Sequence, residues 1–439
     1  MEPANVVIIG GGFGGLSAAR ALALEPVRVT VIDRANHHLF QPLLYQVATG
    51  ALSPAEIARP IRAILRKQWN VNVVMHEVVA IDPVKRQVQF KGGSLQYDYL
   101  ILAAGARHAY FGHDEWESVA PGLKNLEDAM QIRNRILMAL ENADSATDPA
   151  EKQAWLTFVI VGGGPTGVEM AGAIGEIARH QVAPDFRRID VGAIRVMLIE
   201  AAPRVLTSFP EKLSTAAGAS LRHLGVEVLN ATVTAIEPSR VVLRLGNEVQ
   251  ELAAKTTIWA AGVAASPLGK SLGVPLDRAG RVVVNRDLTV PGYSNIFAIG
   301  DMAGFLDETG KQLPGVAPVA MQQGPLAAHN IARAIRGESL EEFRYKDKGN
   351  LATIGRAAAV ADFGRLKLSG FSAWIAWMAV HIFFLIGFRN RFVAMFTWAW
   401  TYFTHDRASM LIFGQEGVGE EGANEKRAAG EGCPGKKIL

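Results

Sequence analysis

The stretch VVIIGGGFGGLSAARALALEPVRVTVID, residues 6–33, decides the fold of this chain. It reads as a strand, a glycine turn, a helix and a second strand that ends in Asp33, 23 residues after Gly10. The turn has the pattern GxGxxG, whose glycines permit a tight turn, the approach of a pyrophosphate and close packing of helix on strand. The helix N-terminus favours an anion, and Asp33 suits ribose hydroxyls. We predict a dinucleotide site, against the alternative of a purely structural turn, formed by Gly10, Gly12, Gly14, Gly15 and Asp33.

A second copy of this plan begins with WLTFVIVGGGPTGVE, residues 155–169. A strand predicted over 194–199 then ends in Glu200. Two copies in one chain imply two cofactors, commonly FAD and NAD(P)H. Glu200 would repel the 2′-phosphate of NADPH, so we predict NADH, although Arg195 and Arg204 nearby leave NADPH open. The predicted contacts of this second site are Gly162, Gly164, Gly167 and Glu200.

A third signal, PGYSNIFAIGD at residues 291–301, indicates which cofactor lies where. It resembles the second FAD motif of two-dinucleotide flavoproteins, in which the aspartate, here Asp301, contacts the flavin's ribityl or pyrophosphate region. The alternative is a plain strand that ends in a Gly-Asp turn. The resemblance implies that FAD occupies the first site and that the second copy is inserted into the FAD domain.

The predicted fold class is α/β, with two Rossmann-like dinucleotide-binding domains and a C-terminal apolar helical region. Further predicted elements are a helix over 53–65, a small antiparallel meander over 71–90, a buried strand over 97–104 and a helix over 126–140. The predicted parts are FAD domain 1–125, NADH domain 126–275, FAD domain again 276–345, a membrane-associating region 346–413 and a disordered tail 414–439.

The composition excludes several kinds of function. The 439 residues carry a net charge of only +3, and no basic stripe interleaved with aromatic residues is present, so we predict no nucleic-acid partner. The single cysteine, Cys433, cannot support the thiol relay of disulfide- or sulfide-handling flavoenzymes. The pair His37-His38 has no cluster of Cys or His to support it, so we predict no metal.

The C-terminal third is apolar and aromatic. Residues 371–388 contain no charged side chain, and residues 392–403 are apolar again after an Arg-Asn-Arg interruption. Four of the eight tryptophans lie in these two runs. Aromatic density with flanking arginine favours an anchor that lies in the membrane interface. A single membrane span and a dimer or core helix are the alternatives.

Two residues carry the predicted chemistry. Glu169 lies two residues beyond the last glycine of the second turn, and we predict it in the first turn of the helix that follows. A carboxylate there could orient the nicotinamide or relay a proton; the alternative is plain complementation of the helix dipole. Gln322 lies one helical turn after Pro318 in the predicted helix 317–335. This glutamine could form the wall of an acceptor site or could simply pack.

Together these residues resemble the type II NADH:quinone oxidoreductases over residues 5–413. The motifs that carry the resemblance are FQPLLYQVATG (40–50), GGGPTGVE (162–169), IFAIGD (296–301) and APVAMQQG (317–324). Glu169 matches the family's catalytic-site glutamate, and Gln322 matches the last Gln of its quinone-site motif AQxAxQ. Pro318 departs from that motif, because it stands where the family has its first Gln.

The resemblance implies one non-covalent FAD per chain, NADH as co-substrate and a membrane quinone as acceptor. It also implies a peripheral enzyme on the cytoplasmic face of the inner membrane, which could form a homodimer. The expected cofactor contacts then include Gln46, Ala104, Gly105, Asp301 and Gln322. The alternatives are a flavin reductase with a soluble acceptor and a flavin-bound membrane scaffold or redox sensor.

Overall fold

The computed structural model describes residues 2–404, 407 and 409–413, so the predicted tail 414–439 lies outside the described residues. The first part of the chain contains ten strands and four helices, which are β1 (Ala4–Ile9), α1 (Phe13–Ala21), β2 (Val27–Asp33), β3 (His37–Leu39), α2 (Leu44–Ala48), α3 (Pro54–Ile57), β4 (Ala58–Pro60), α4 (Ile61–Leu65), β5 (Val71–Met75), β6 (Val78–Asp82), β7 (Gln87–Phe90), β8 (Gly93–Gln96), β9 (Tyr99–Leu102) and β10 (Ala106–His108).

The second part repeats the alternation of strands and helices. Its elements are α5 (Leu126–Ser145), α6 (Pro149–Trp155), β11 (Thr157–Val161), α7 (Pro165–His180), α8 (Val182–Asp185), β12 (Arg195–Glu200), α9 (Glu211–His223), β13 (Val226–Asn230), β14 (Thr232–Glu237), β15 (Arg240–Leu245), β16 (Glu248–Ala253), β17 (Thr256–Trp259) and β18 (Val263–Ala265).

The remaining elements return to the first sheet and then build the C-terminal region. They are β19 (Val282–Val283), β20 (Ile296–Ala298), β21 (Ala303–Gly304), α10 (Ala317–Ile335), β22 (Asn350–Thr353), β23 (Ala359–Phe363), β24 (Leu366–Gly370), α11 (Phe371–Phe384) and α12 (Phe388–Thr404).

Two parallel sheets organise the molecule. The first has the strand order β20-β9-β1-β2-β5, and the second has the order β13-β12-β11-β17. Strand β20 pairs in parallel with β9, with Ile296 opposite Leu100, although the whole second sheet lies between them in the sequence. The predicted fold class, with one nucleotide domain inserted in the other, is therefore confirmed. The antiparallel pair β10–β18 joins the two connections between the domains.

The helix predicted over 53–65 is wrong. Helix α3 ends at Ile57, strand β4 pairs with β3, and helix α4 begins at Ile61. Pro60 explains the break, because the residue before a proline is driven to extended backbone and proline has no N–H to continue a helix.

Two other predicted elements have shifted. Val71–Met75 belongs to the parallel sheet beside β2, so the antiparallel meander contains only β6, β7 and β8. Trp155, predicted as the start of a strand, is the last residue of α6, and the strand begins at Thr157.

The C-terminal region is a three-stranded antiparallel sheet, β22-β23-β24, followed by the two apolar helices α11 and α12. Within the described residues, no helix is both long and apolar enough to cross a membrane. Ala373, Trp377, Ala394 and Trp398 are buried in the same hydrophobic core as residues of α2 and α7. The opposite side of these helices stays exposed, with Phe383 68%, Phe392 63%, Phe396 63% and Phe403 80% accessible.

Candidate active site

The first glycine turn is tight where helix and strand meet and open where a ligand would approach. Gly10 has a φ of 102°, and a Cβ on Gly15 would lie only 1.8 Å from the Gly10 carbonyl oxygen. A Cβ on Gly12, by contrast, would meet no atom within 4 Å. The predicted roles of these glycines therefore agree with the space around them, and α1 begins directly behind the turn.

Asp33 holds this turn in place. Its Oδ2 accepts from the Gly11 N–H at 2.6 Å, and its Oδ1 accepts from the Ala35 N–H at 2.8 Å. A carboxylate has further lone pairs for ribose hydroxyls. The buried His38 lies beside the same turn, with Nδ1 3.0 Å from the Gly11 oxygen, and its Nε2 has no partner among the described residues. An open glycine cradle beside an orphaned buried nitrogen fits an adenine dinucleotide.

The Gly300-Asp301 turn and helix α10 both lie close to the first glycine turn. A Cβ on Gly14 would meet Ile299 at 3.0 Å, just before this turn, and Ala320 of α10 at 3.5 Å. Gly300 has a φ of 63°, and its N–H donates to Oε1 of Gln323 at 2.6 Å.

Gln323 was not predicted as a site residue from the sequence, whereas its neighbour Gln322 was. The Gln323 side chain is 1% exposed. Helical spacing could have indicated that Gln323 is buried, because Val319, Gln323 and Ala327 repeat at i, i+4 and i+8 along the buried face of α10.

Ala104 and Gly105 follow the carboxyl end of β9, next to the first turn. A Cβ on Gly10 would lie 2.3 Å from the Ala103 oxygen, which shows how closely the two segments approach. Gly105 has a φ of 70°, and its carbonyl accepts from the Ser266 N–H at 3.1 Å. The structure therefore brings these predicted contacts together with Gly10.

The second glycine turn repeats the first in detail. Gly162 has a φ of 109°, a Cβ on Gly167 would lie 1.8 Å from its oxygen, and Gly164 faces open space. Glu200 plays the part of Asp33, since it accepts from the Gly163 N–H and from the Ala202 N–H at 2.7 Å. This turn is thus equally shaped for a dinucleotide.

Arg195 and Arg204, the two arginines that could have bound the 2′-phosphate of NADPH, have other partners. Arg204 donates to the backbone oxygens of Leu206, Thr207 and Phe209. Arg195 forms a bidentate pair with Glu227 at 2.9 Å. Neither guanidinium is aimed at the ribose acid Glu200, so the geometry favours NADH.

Glu169 lies in the second turn of α7, not in the first as we predicted from the sequence. Dipole complementation at the N-terminus therefore explains it less well, because that effect fades beyond the first turn. Burial raises the pKa of Glu169 to about 8, although a backbone hydrogen bond from Thr353 opposes the shift. The carboxyl group thus holds a proton at neutral pH. Tyr45 lies close to it, and burial followed by the Glu169 charge raises the pKa of this phenol.

A small pocket with a cavity volume of about 70 Å³, partly open to solvent, lies beside this face of α7. Glu169, Ala173 and Glu176 are spaced i, i+4 and i+7, so they share one face of the helix. Its lining comes from α2, α7, the turn after β22, both C-terminal helices and the residues after them. The lining residues are Tyr45, Gln46, Thr49, Ala51, Ala173, Glu176, Thr353, Gly355, Arg356, Trp374, Trp377, Trp398, Thr401 and Arg407.

Gln46, which we expected on the cofactor, lines this pocket. Its Oε1 accepts from Trp398 Nε1 at 2.7 Å, and its Nε2 donates to the Tyr45 hydroxyl at 2.8 Å. These bonds connect α2 to α12. Trp377 is 2% exposed, and its Nε1–H has no partner among the described residues. The pocket therefore offers a desolvated donor in an aromatic wall.

Gln322 forms two hydrogen bonds with the backbone of Lys346. Its Nε2 donates to the Lys346 oxygen, and its Oε1 accepts from the Lys346 N–H, both at 3.0 Å. This amide fastens α10 to the segment before β22. The adjacent Gln323, rather than Gln322, contacts the Gly300 turn.

A buried ion pair attaches the end of the C-terminal region to α7. Arg407 lies 3.1 Å from Glu176, and it also donates to the Thr49 oxygen at 2.8 Å. Glu176 accepts in addition from the backbone N–H of Arg356. The side chains of Arg407 and Glu176 are only 6% and 16% exposed. Both residues of the pair also line the pocket.

Two family models match this chain. Residues 4–324 match the pyridine nucleotide-disulphide oxidoreductase family, and residues 348–405 match the NDH2 C-terminal domain. The first match spans both nucleotide domains, and the second begins just before β22 and ends beyond α12.

Curated relatives match over nearly the whole chain. The type II NADH:quinone oxidoreductases Ndh and NdhA of Mycobacterium tuberculosis are 44% and 46% identical, over 94% of this chain and 91% and 90% of their own. The type II NADH:quinone oxidoreductase of Staphylococcus aureus is 32% identical over 80% of this chain and 87% of its own.

Solved structures show the same fold. NDH2 of Plasmodium falciparum in complex with NADH has a TM-score of 0.84 at 23% identity, covering 91% of this chain and 98% of its own. The sulfide:quinone oxidoreductase of Aquifex aeolicus has a TM-score of 0.67 at 23% identity, covering 88% and 92%. With two nucleotide turns, the C-terminal domain and these relatives in agreement, the chain belongs to the type II NADH:quinone oxidoreductases.

Proposed function

We propose that this protein oxidises NADH and reduces a lipid-soluble quinone to quinol at a membrane surface, without pumping protons. The observation that carries the proposal is the aromatic pocket, which places Tyr45, Trp377 and Trp398 beside the helix of the second nucleotide turn. A flat, apolar acceptor fits an aromatic wall with few polar groups. This helix also carries Glu169, so the pocket and the nicotinamide site share one structural element.

We assign the cofactors to the two turns by their geometry. A non-covalent FAD would lie on Gly10, Gly12 and Gly15 with Asp33 and Asp301, and NADH would lie on the second turn with Glu200. When bound, the flavin accepts hydride from NADH and supplies electrons to the quinone. The protein contributes the position of the two dinucleotides and the electrostatics around them.

Quinone reduction consumes two protons, and the chain has a group to supply one of them. Glu169 retains its proton at neutral pH because burial holds its pKa at about 8. The Nε1–H of Trp377 can donate to a quinone oxygen, which would satisfy the hydrogen bond that it lacks in the protein. Burial of both groups strengthens these interactions.

We also propose that the exposed faces of α11 and α12 lie in the membrane interface. Their outward side chains include Phe383, Phe392, Phe396 and Trp400, which are all exposed by more than half. A patch of this kind rarely faces water in a monomeric protein. Aromatic side chains suit the boundary between headgroups and acyl chains. A homodimer that covers the same face is the competing arrangement.

The test is NADH oxidation by the detergent-purified, full-length protein with a short-chain quinone as acceptor. We expect turnover to exceed the rate with oxygen alone, with NADH preferred over NADPH. Turnover no faster than with oxygen would sink the proposal and favour a flavin-bound scaffold, which should retain reduced flavin for long periods. Faster turnover with a ferredoxin-like acceptor than with quinone would favour the soluble-acceptor reductase.

Deletion of the C-terminal helices would not separate these functions. Trp398 and Arg407 form part of the pocket wall and bond to Gln46 and Glu176, so their removal would expose a buried carboxylate. Trp377→Phe is the sharper variant, because it keeps the aromatic packing and removes only the free donor. We expect it to raise the KM for quinone and to leave that for NADH unchanged.

A further inference from the structure

The two nucleotide turns differ at the residue that faces each ribose acid across the sheet. In the first copy, Asp33 of β2 lies opposite Met75 of β5. In the second copy, Glu200 of β12 lies opposite Asn230 of β13. The residue after each of these partners donates its backbone N–H to the carbonyl oxygen of the acid, at 2.9 and 3.1 Å. The backbones therefore correspond, and the side chain at this position sets the two copies apart.

The Asn230 amide gathers three backbone carbonyls. Its Nδ2 lies 3.1 Å from the oxygens of Glu200 and Ala201 and 2.6 Å from the oxygen of Ala202. An amide nitrogen carries two hydrogens, so the three oxygens share them. The chain that leaves β12 is thereby curled around one side chain. Met75 has no donor with which to do the same, and it is 58% exposed.

The rest of the β12–α9 loop, residues 201–210, is fastened to the glycine turn. The N–H of Leu206 donates to the Gly163 oxygen at 2.7 Å. Leu206 is buried and has a φ of 51°, a conformation that a residue with a side chain adopts only when its surroundings hold it. In the first copy, the equivalent oxygen of Gly11 faces the ring of His38 instead. Only in the second copy does the loop itself brace the turn.

The donors around Glu200 are already engaged. The Ala202 N–H donates to the Glu200 carboxylate at 2.7 Å, and the Arg204 guanidinium donates to backbone oxygens of its own loop. The polar atoms that remain near the ribose position are carboxylate and carbonyl oxygens. Such acceptors suit the two hydroxyls of an adenosine ribose, whereas a 2′-phosphate would be repelled.

The two dinucleotides make different demands on these loops. A flavin that stays bound can order its own loop once, when the holoenzyme forms. NADH enters and leaves in every turnover, so the free-energy cost of ordering a mobile loop would weaken each binding event. A loop that is already in its bound conformation removes this cost.

We propose that Asn230 is a positioning residue for NADH, which holds residues 200–202 in the conformation that binds the adenosine ribose. Through the position of Glu200, it also sets the preference for NADH over NADPH. The proposal rests on the proposed placement of NADH on the second turn, and it names the side chain that shapes this site in advance.

The first measurement compares steady-state kinetics of the flavin-loaded, full-length protein with NADH and with NADPH, using a short-chain quinone. We expect Asn230→Leu to raise the KM for NADH about tenfold and to leave kcat within about twofold, because the loop acts on binding. The KM for NADPH should not rise, since a mobile loop lets Glu200 move away from the 2′-phosphate. The preference for NADH should therefore fall about tenfold. The dissociation constant of NAD⁺, measured by calorimetry, should rise in parallel with the KM for NADH.

Hydrogen exchange provides a readout that a purely structural role would not produce. Without nucleotide, the amides of residues 201–206 should exchange faster in Asn230→Leu than in the unmodified protein. Saturating NAD⁺ should restore their protection, because the nucleotide then orders the loop. Unchanged exchange in the absence of nucleotide would contradict the proposed role of Asn230.

Two further variants isolate the donor. Asn230→Asp keeps the size of the side chain but turns oxygens toward the three carbonyls, so it should raise the KM for NADH at least as much as Asn230→Leu. The matched control is Asn295→Leu, which removes an amide that donates to the Asp98 oxygen at 2.8 Å in the first domain. This control should keep the KM for NADH within about twofold. Flavin content per chain reports whether each variant is folded.

Glu200→Gln separates this proposal from the placement of NADH. An unchanged KM for NADH in Glu200→Gln would overturn that placement, and the role of Asn230 with it. A raised KM in Glu200→Gln together with an unchanged KM in Asn230→Leu would overturn the role of Asn230 alone. A loss of flavin in both Asn230 variants would also overturn it, since the amide would then support the fold rather than the nucleotide.

Discussion

Replacement of Arg407 by methionine should loosen the C-terminal region from the nucleotide domains. Arg407 bonds to Thr49 at 2.8 Å in the first domain and to Glu176 at 3.1 Å in the second, so one side chain joins three parts of the protein. Methionine keeps much of the side-chain volume and removes the charge. The carboxylate of Glu176 then stays buried with only the Arg356 N–H as its partner among the described contacts.

The expected cost follows from the burial of the pair. The side chains are 6% and 16% exposed, so solvent cannot replace the lost guanidinium easily. Removal of one partner of a buried ion pair costs about 3–5 kcal/mol. The cost should fall on local opening of α12 and the segment after it, because these are the parts that Arg407 fastens.

Hydrogen exchange measured by mass spectrometry is the assay. We expect the amides of α12 to exchange between about a hundredfold and a few thousandfold faster in Arg407→Met, since about 1.4 kcal/mol is tenfold, while those of β1 and β11 keep their protection. Arg195→Met is the matched control, since its pair with Glu227 is about 40% exposed and should be worth less than about 1 kcal/mol.

A double-mutant cycle tests the cause. If an uncompensated carboxylate is responsible, Arg407→Met/Glu176→Gln should be more protected than Arg407→Met alone. Strictly additive losses in the two single variants, or no change in α12 exchange, would refute the reasoning.

Three other predictions follow from the same site. Glu169→Gln should slow quinone reduction and remove the decline in rate that we expect above about pH 8, as a pH profile of activity will show. Because folding raises the pKa of Glu169 from 4.5 to about 8, the unmodified protein should lose stability as the pH rises between these two values. The variant should lack this loss, as unfolding measured across the same pH range will show. Gly15→Ala should abolish flavin binding, since its Cβ would clash with Gly10, whereas Gly12→Ala should fold normally with a weakened flavin, as the absorbance ratio reports. Gln323→Leu should reduce flavin content more than Gln322→Leu, because only Gln323 supports the Gly300 turn.

The local elements of the nucleotide domains were readable from the sequence because short-range rules dictate them. Both glycine turns, both ribose acids and the helix behind each turn occur where the motifs predict them. The helix predicted over 53–65 failed at Pro60, where the chain is extended instead. The first-turn placement of Glu169 failed by one turn for a similar reason, since the helix start was judged only by motif.

The candidate site could be predicted only in part. The two glutamines show why: Gln322 and Gln323 are adjacent, and only the packing of α10 on the Gly300 turn decides which of them faces the predicted flavin site. Gln46 lies in a recognisable motif, yet its partner Trp398 is 352 residues away. A pattern along the chain contains no information about such a pairing.

The sequence by itself determined that two dinucleotide turns are present, that the chain has no thiol pair and that its C-terminal helices are apolar. These properties depend on backbone freedom at particular glycines, on side-chain chemistry and on helical periodicity, all of which act over a few residues. Only the tertiary structure decided that α2, α7 and α12 enclose one pocket, that Arg407 neutralises Glu176 and that Glu169 keeps its proton. Burial and electrostatic fields arise from every segment that surrounds a group, and these segments meet only in the folded chain.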